Sequence, residues 1–122
     1  MNRATDSDRA ALDVSRELYH TFRGDLLLPR DHRYQAARRV WNASIDRHPA
    51  LIARCADTGD VASALRAARQ HGLEVAVRGG GHSIAGLGVA DGAMTIDLSP
   101  MAAVRVDPDA RRATVQAGSL LS

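Results

Sequence analysis

The residues best equipped for chemistry lie in one run, Val75-Ala76-Val77-Arg78-Gly79-Gly80-Gly81-His82-Ser83-Ile84-Ala85-Gly86. Three consecutive glycines behind an apolar stretch are costly in chain entropy. They make physical sense where the main chain must turn sharply and come close to another group. Successive N–H groups in such a turn form a concavity suited to phosphate oxygens, and Arg78 adds a fixed positive charge at its rim. His82 follows at once, with a ring nitrogen that is nucleophilic when neutral. The run reads as a phosphate cradle beside a reactive imidazole. The competing reading is an ordinary flexible turn with His82 as a solvated loop residue.

Other chemistries fit less well. Gly81-His82-Ser83-Ile84-Ala85 approaches the Gly-x-Ser-x-Gly nucleophile elbow, which would make Ser83 the nucleophile of a serine hydrolase. An elbow must lead straight into a helix, and the next eight residues, Ala85-Gly86-Leu87-Gly88-Val89-Ala90-Asp91-Gly92, are too rich in glycine for that. No histidine follows His82 to complete a triad. Gly86-Leu87-Gly88 supplies only part of a dinucleotide-binding G-x-G-x-x-G motif. The chain has no lysine for a Walker-type phosphate loop. His20, His32, His48, Cys55 and His71 show no metal-ligand spacing, so no metal site is expected.

The elements that must position the run can be read from periodicity and breakers. Apolar positions Ala11, Leu12, Val14, Leu18, Tyr19 and Phe22 predict a helix over 9–23, capped by Asp8 behind a frayed terminus. Residues 26–29 read as a connector, and a second helix is expected over 31–41 with Asp31 as its cap. Residues 50–55 are short and apolar, bounded by Pro49 and Gly59, and predict a buried strand. Val61, Ala64, Leu65 and Ala68 mark one face of a helix over 61–71, started by Thr58 or Asp60 and stopped by Gly72. Residues 74–78 predict the strand that delivers the glycines, and 50–78 then has the length of one strand–helix–strand crossover. Three further strands are expected at 94–98, 103–107 and 113–117, with a turn at Asp107-Pro108-Asp109-Ala110-Arg111 between the last two. A helix opening at Ser119 and broken off suggests the front piece of a longer protein.

Composition removes several classes. The single cysteine, Cys55, cannot form an internal disulfide and reads as core packing. No apolar run approaches the ~20 residues of a membrane span, and the polar N-terminus carries no visible export signal, so the cytoplasm is the expected compartment. All sixteen basic residues are arginines, scattered among few aromatics. Nucleic-acid surfaces gather such charge into patches, so neither a nucleic acid nor a membrane is an expected partner.

Arg78-Gly79-Gly80-Gly81-His82-Ser83, followed by Ala85-Gly86 and by Thr95-Ile96-Asp97-Leu98-Ser99, resembles the N-terminal part of the berberine-bridge-enzyme-like FAD-linked oxidases, whose FAD-binding domain is of the vanillyl-alcohol-oxidase, or PCMH, type. Tyr34, Trp41-Asn42, Pro49-Ala50-Leu51-Ile52, Cys55, Asp60-Val61 and Ala64 stand in the same order as in that family. The resemblance covers residues 24–122, an incomplete domain preceded by a helical segment at 1–23. It implies an α+β fold in which a small parallel α/β subdomain leads into antiparallel strands. It also implies FAD as cofactor, bound by Arg78, Gly79, Gly80, Gly81, His82, Ser83, Ile84 and Gly86, with His82 as the point of covalent attachment. Oxidation of an alcohol, a sugar or a related small molecule with dioxygen as acceptor would follow. The substrate domain, the catalytic base and a second, cysteinyl tether would lie beyond Ser122. The remaining alternative is a truncated, non-catalytic remnant that self-associates.

Overall fold

The computed structural model describes residues 3–83 and 85–120, with side chains from residue 6 onward. The elements run α1 (Arg3–Leu18), β1 (Asp25–Leu27), α2 (Tyr34–Ala37), β2 (Leu51–Arg54), α3 (Thr58–His71), β3 (Val75–Arg78), β4 (Met94–Asp97), β5 (Val104–Asp107) and β6 (Arg112–Val115). Four strands form one sheet in the order β1-β2-β4-β3. β1 is antiparallel to β2, and β2 and β3 both run parallel to β4. β5 and β6 form a separate antiparallel hairpin. The α+β expectation, a small parallel sheet followed by antiparallel strands, describes this architecture.

The strand–helix–strand unit forms, but β2 and β3 are not neighbours, because β4 lies between them. Burial explains the insertion. All four residues of β4 are buried, whereas β3 leaves Val75 and Val77 exposed. A strand covered on both faces belongs in the centre, and a half-covered one belongs at an edge. Leu51, Ala53, Met94 and Ile96 meet Ala11, Val14 and Leu18 of α1 and Ala64, Ala67 and Ala68 of α3. Leu27 and Ile52, on the opposite face, meet Tyr34, whose hydroxyl donates to the carbonyl of Pro49 at 2.8 Å. Cys55 is fully buried in the first cluster, and burial pushes its thiol up to about 12.

Several boundaries differ from the sequence reading. α1 begins at Arg3 rather than after Asp8, with Asp6 in its first turn, where a carboxylate complements the helix dipole. Residues 25–27 form an edge strand instead of a connector. α2 is one turn long rather than eleven residues. Asp31 is not its cap: the N-cap is Arg33, without a side-chain hydrogen bond, and Asp31 closes the preceding turn by accepting from the N–H of Arg33 at 2.9 Å. The helix stops because later groups are spent elsewhere: Arg38 reaches Asp46 at 2.6 Å, and the Trp41 N–H goes to the carbonyl of Gly81. α3 is capped by Asp57, which accepts from Asp60 N–H at 2.8 Å, rather than by Thr58 or Asp60. Asp60 instead turns inward and accepts the N–H groups of Arg23, Gly24 and Ala56 at 2.8–2.9 Å. Gly72 ends α3 in the left-handed conformation, as its type required. The helix expected from Ser119 falls partly outside the described residues; Ser119 itself donates its N–H to Gln116 in a turn.

Candidate functional site

The glycine run leaves the C-terminal end of β3, the end of parallel strands at which α/β sheets receive ligands. Register brings Arg54, Asp97 and Arg78 into one row across that end. Asp97 is almost fully buried there, 3.4 Å from the Arg54 guanidinium, and accepts from Ser99 N–H at 2.9 Å. It therefore fastens the turn after β4.

Arg78 is half-buried. Its Nη1 donates to the carbonyl of Ala37, while its Nε is buried without a hydrogen-bond partner among the described residues. Its guanidinium lies beneath Gly81, where a side-chain carbon would stand 3.1 Å from Nε. Gly81 has a φ of +75°, a left-handed conformation that only glycine adopts without strain. Gly79 and Gly80 pack against the segment after β6: a side-chain carbon at 79 would stand 2.6 Å from the Ala117 carbonyl oxygen. At 80 it would stand 2.7 Å from Cδ2 of His82 and 2.8 Å from a methyl of Leu120. The run thus passes close to its neighbours at three successive positions.

The N–H groups of Gly79, Gly80, Gly81, His82 and Ser83 donate to no acceptor among the described residues. Beside them lies a cleft of about 450 Å³ lined by Arg78, Gly79, Gly80, Ser99, Gly118 and Ser119. The Ser119 hydroxyl is also buried without a partner among the described residues. Unspent donors beside a cavity are the arrangement that an anionic, diphosphate-bearing cofactor satisfies, so the residues present fit such a group. Gly118 and Ser119 were not among the site residues read from sequence, where Ser119 was read only as a helix opening, because nothing local in Ala117-Gly118-Ser119 marks a ligand contact. The chain reversal at 108–111 brings them back to the glycines.

His82 is exposed, and its Cδ2–Nε2 edge faces Gly80. Its ring centre lies 6.1 Å from that of Trp41, with the planes tilted by 41°. The Trp41 N–H donates to Gly81 at 2.8 Å. Ser83 takes part in a local turn: its hydroxyl accepts from Leu87 N–H at 3.2 Å and its carbonyl accepts from Gly86 N–H. No helix opens among the described residues 85–93, so an elbow geometry for Ser83 is lacking. Ile84 lies outside the described residues. Gly86 is buried, with φ +72° and the Ile45 side chain packed against it. Arg47 holds this end of the run, donating to the carbonyls of Gly86 at 2.7 Å and Val89 at 3.1 Å. Sequence reasoning gave Arg47 no role, since an arginine 39 residues before Gly86 carries no local signal.

Residues 49–122 match a protein family described as the FAD binding domain. The chain is 36% identical over 98 residues to (R)-6-hydroxynicotine oxidase of Paenarthrobacter nicotinovorans, covering 80% of this chain and 21% of that protein. It is 37% identical over 84 residues to glucooligosaccharide oxidase of Sarocladium strictum, covering 67% of this chain and 17% of that protein. The crystal structure of 6-hydroxy-D-nicotine oxidase from Arthrobacter nicotinovorans superposes with a TM-score of 0.78 at 35% identity, over 81% of this chain and 22% of that one. The berberine-bridge-enzyme-like protein 1 of Physcomitrella patens shares the fold, with a TM-score of 0.73 at 24% identity over 92% of this chain and 23% of that one. The chain spans about a fifth of the length of the curated relatives it matches.

Proposed function

The chain belongs to the FAD binding domain family, of PCMH type, and from that premise we propose that residues 78–86 hold the FAD diphosphate and that His82 carries the flavin covalently in an oxidase acting on a small molecule. The single observation that carries this reading is the juxtaposition of five unspent N–H groups, at Gly79, Gly80, Gly81, His82 and Ser83, with an exposed imidazole. The amides bind the diphosphate oxygens without any side chain intervening. Arg78 lends its charge from beneath Gly81, and Ser119 closes the far side of the cleft. Arg47 keeps the run's exit fixed, so that the amides are pre-set before the cofactor arrives.

FAD supplies the two-electron acceptor for substrate oxidation, with dioxygen taking the electrons on. His82 would hold the cofactor through a carbon–nitrogen bond to the flavin's 8α-methyl, made in place of its imidazole N–H and a methyl C–H. That linkage would release two protons to solvent and would need a two-electron acceptor, which dioxygen would supply. The tether prevents loss of the cofactor and raises its oxidising power. Substrate groups and the catalytic base belong to other parts of the protein.

The test is His82→Ala in the full-length protein. Denaturation in acid should leave the wild-type pellet yellow and the variant pellet colourless, with the variant still folded. Acid-stable flavin in the variant would show that another residue bears the tether.

A further inference from the structure

Trp41 is the sole tryptophan of the chain and is 67% exposed. Tryptophan is usually well covered even where it is not fully buried. Here the main chain is firmly held while the indole is left open: the Trp41 N–H is fixed on Gly81, and the indole nitrogen has no acceptor among the described residues. The ring leans toward His82, 6.1 Å away between centres. A large apolar surface held in place beside a nucleophilic imidazole is costly to leave in water, and it faces the group to which the flavin is assigned.

We propose that Trp41 is a positioning residue for the tethered flavin, its indole forming a wall against which the dimethylbenzene edge of the ring system rests. The inference depends on the assignment of His82 above. A methyl carbon bonded to the imidazole stands one bond from a ring whose centre is 6.1 Å from the indole centre. An aromatic group bonded to that imidazole would be held beside the indole, and aromatic pairs attract at centroid separations of about 4.5–7 Å. The tilt of 41° leaves the indole face neither parallel nor perpendicular to the imidazole. Two consequences follow from the contact. Indole covers the new carbon–nitrogen linkage from water, and it restricts rotation about that linkage, presenting the methyl to the imidazole in one orientation before bonding.

The experiment compares Trp41→Ala, Trp41→Phe and His82→Ala in the full-length protein. It reads reversible FAD affinity, the rate at which flavin becomes acid-stable, and the visible circular dichroism of bound flavin, which a merely structural role would not move. Both Trp41 variants keep the backbone N–H to Gly81, and thermal melting verifies the fold. Trp41→Ala should weaken reversible binding roughly three- to tenfold, slow tethering and alter the flavin dichroism. Trp41→Phe should recover affinity and rate while keeping an altered dichroism. A Trp41→Ala protein with wild-type rate and dichroism overturns the proposal. If that variant does not fold, Trp41→Phe decides, since dichroism identical to wild type overturns the proposal equally. Acid-stable flavin in His82→Ala would instead remove the attachment reading itself, so the two failures are separable.

Discussion

Replacing Gly80 by alanine should disable flavin attachment without unfolding the protein. Gly80 has no left-handed φ, so its backbone accepts a side chain. The added carbon would stand 2.7 Å from His82 Cδ2 and 2.8 Å from a Leu120 methyl. Ordinary contacts of this kind begin at 3.4 Å, so the His82 edge must retreat by about 0.7 Å and the Leu120 methyl by about 0.6 Å. Both are ends of movable side chains, so the backbone has no reason to shift. Relieving such overpacking costs about 1–3 kcal/mol, partly offset by the ~0.4–1 kcal/mol that a Gly→Ala change gains through the unfolded chain. The net loss should therefore stay below about 2–3 kcal/mol, a drop of several degrees in Tm. The imidazole, however, would be displaced by most of an ångström from where it must meet the flavin methyl, and misplacement near 1 Å costs on the order of a hundredfold in rate. Apo-protein mixed with FAD and sampled into acid over time gives the tethering rate directly, and thermal melting gives the stability. Tethering within twofold of wild type would refute the reasoning. So would a rate loss accompanied by global unfolding, since the strain would then have entered the backbone.

Asp60→Ala should destabilise the fold by about 3–5 kcal/mol, because three backbone N–H groups at Arg23, Gly24 and Ala56 lose a buried charged acceptor together; urea denaturation monitored by circular dichroism measures the loss. Cys55 should resist alkylation in the native protein and react promptly once the chain is unfolded, since burial raises its thiol from 9.0 to about 12. The same shift sets a pH dependence. The folded state keeps the thiol protonated where the unfolded state releases the proton, so stability is fully present below pH 9 and declines as pH rises from 9 toward 12. Cys55→Ala should flatten that decline, as denaturation midpoints across the range would reveal.

How much of the molecule was legible follows from which interactions are local. The helix α3 was readable because its apolar residues and its Gly72 stop are spaced within one or two turns, although Leu65 faces out and Ala67 stands in the core instead. Its start was misread, since Asp57, Thr58 and Asp60 are all plausible caps, and the choice depends on Asp60 being drawn away by the N–H groups of residues 23 and 24. α2 was overextended because Val40 and Trp41 keep a helical period, while the Trp41 amide is claimed by a glycine 40 residues later. β1 was missed because three residues carry too little periodicity to mark a strand; pairing with β2 creates it.

The same division holds for the site. Sequence by itself determined the chemical content of residues 78–83: three side-chain-free amides in a row, a charge before them and an imidazole after them. Side-chain absence is a covalent property and needs no fold to be read. Only the tertiary structure decided that β4 lies between β2 and β3, that Arg47 grips the loop's exit, that Ser119 returns to face Gly80, and that Trp41 stands beside His82. Those juxtapositions join residues tens of positions apart. They are set by which strands can be buried on both faces and which polar groups still need partners, conditions that the whole chain satisfies at once and that no short segment records.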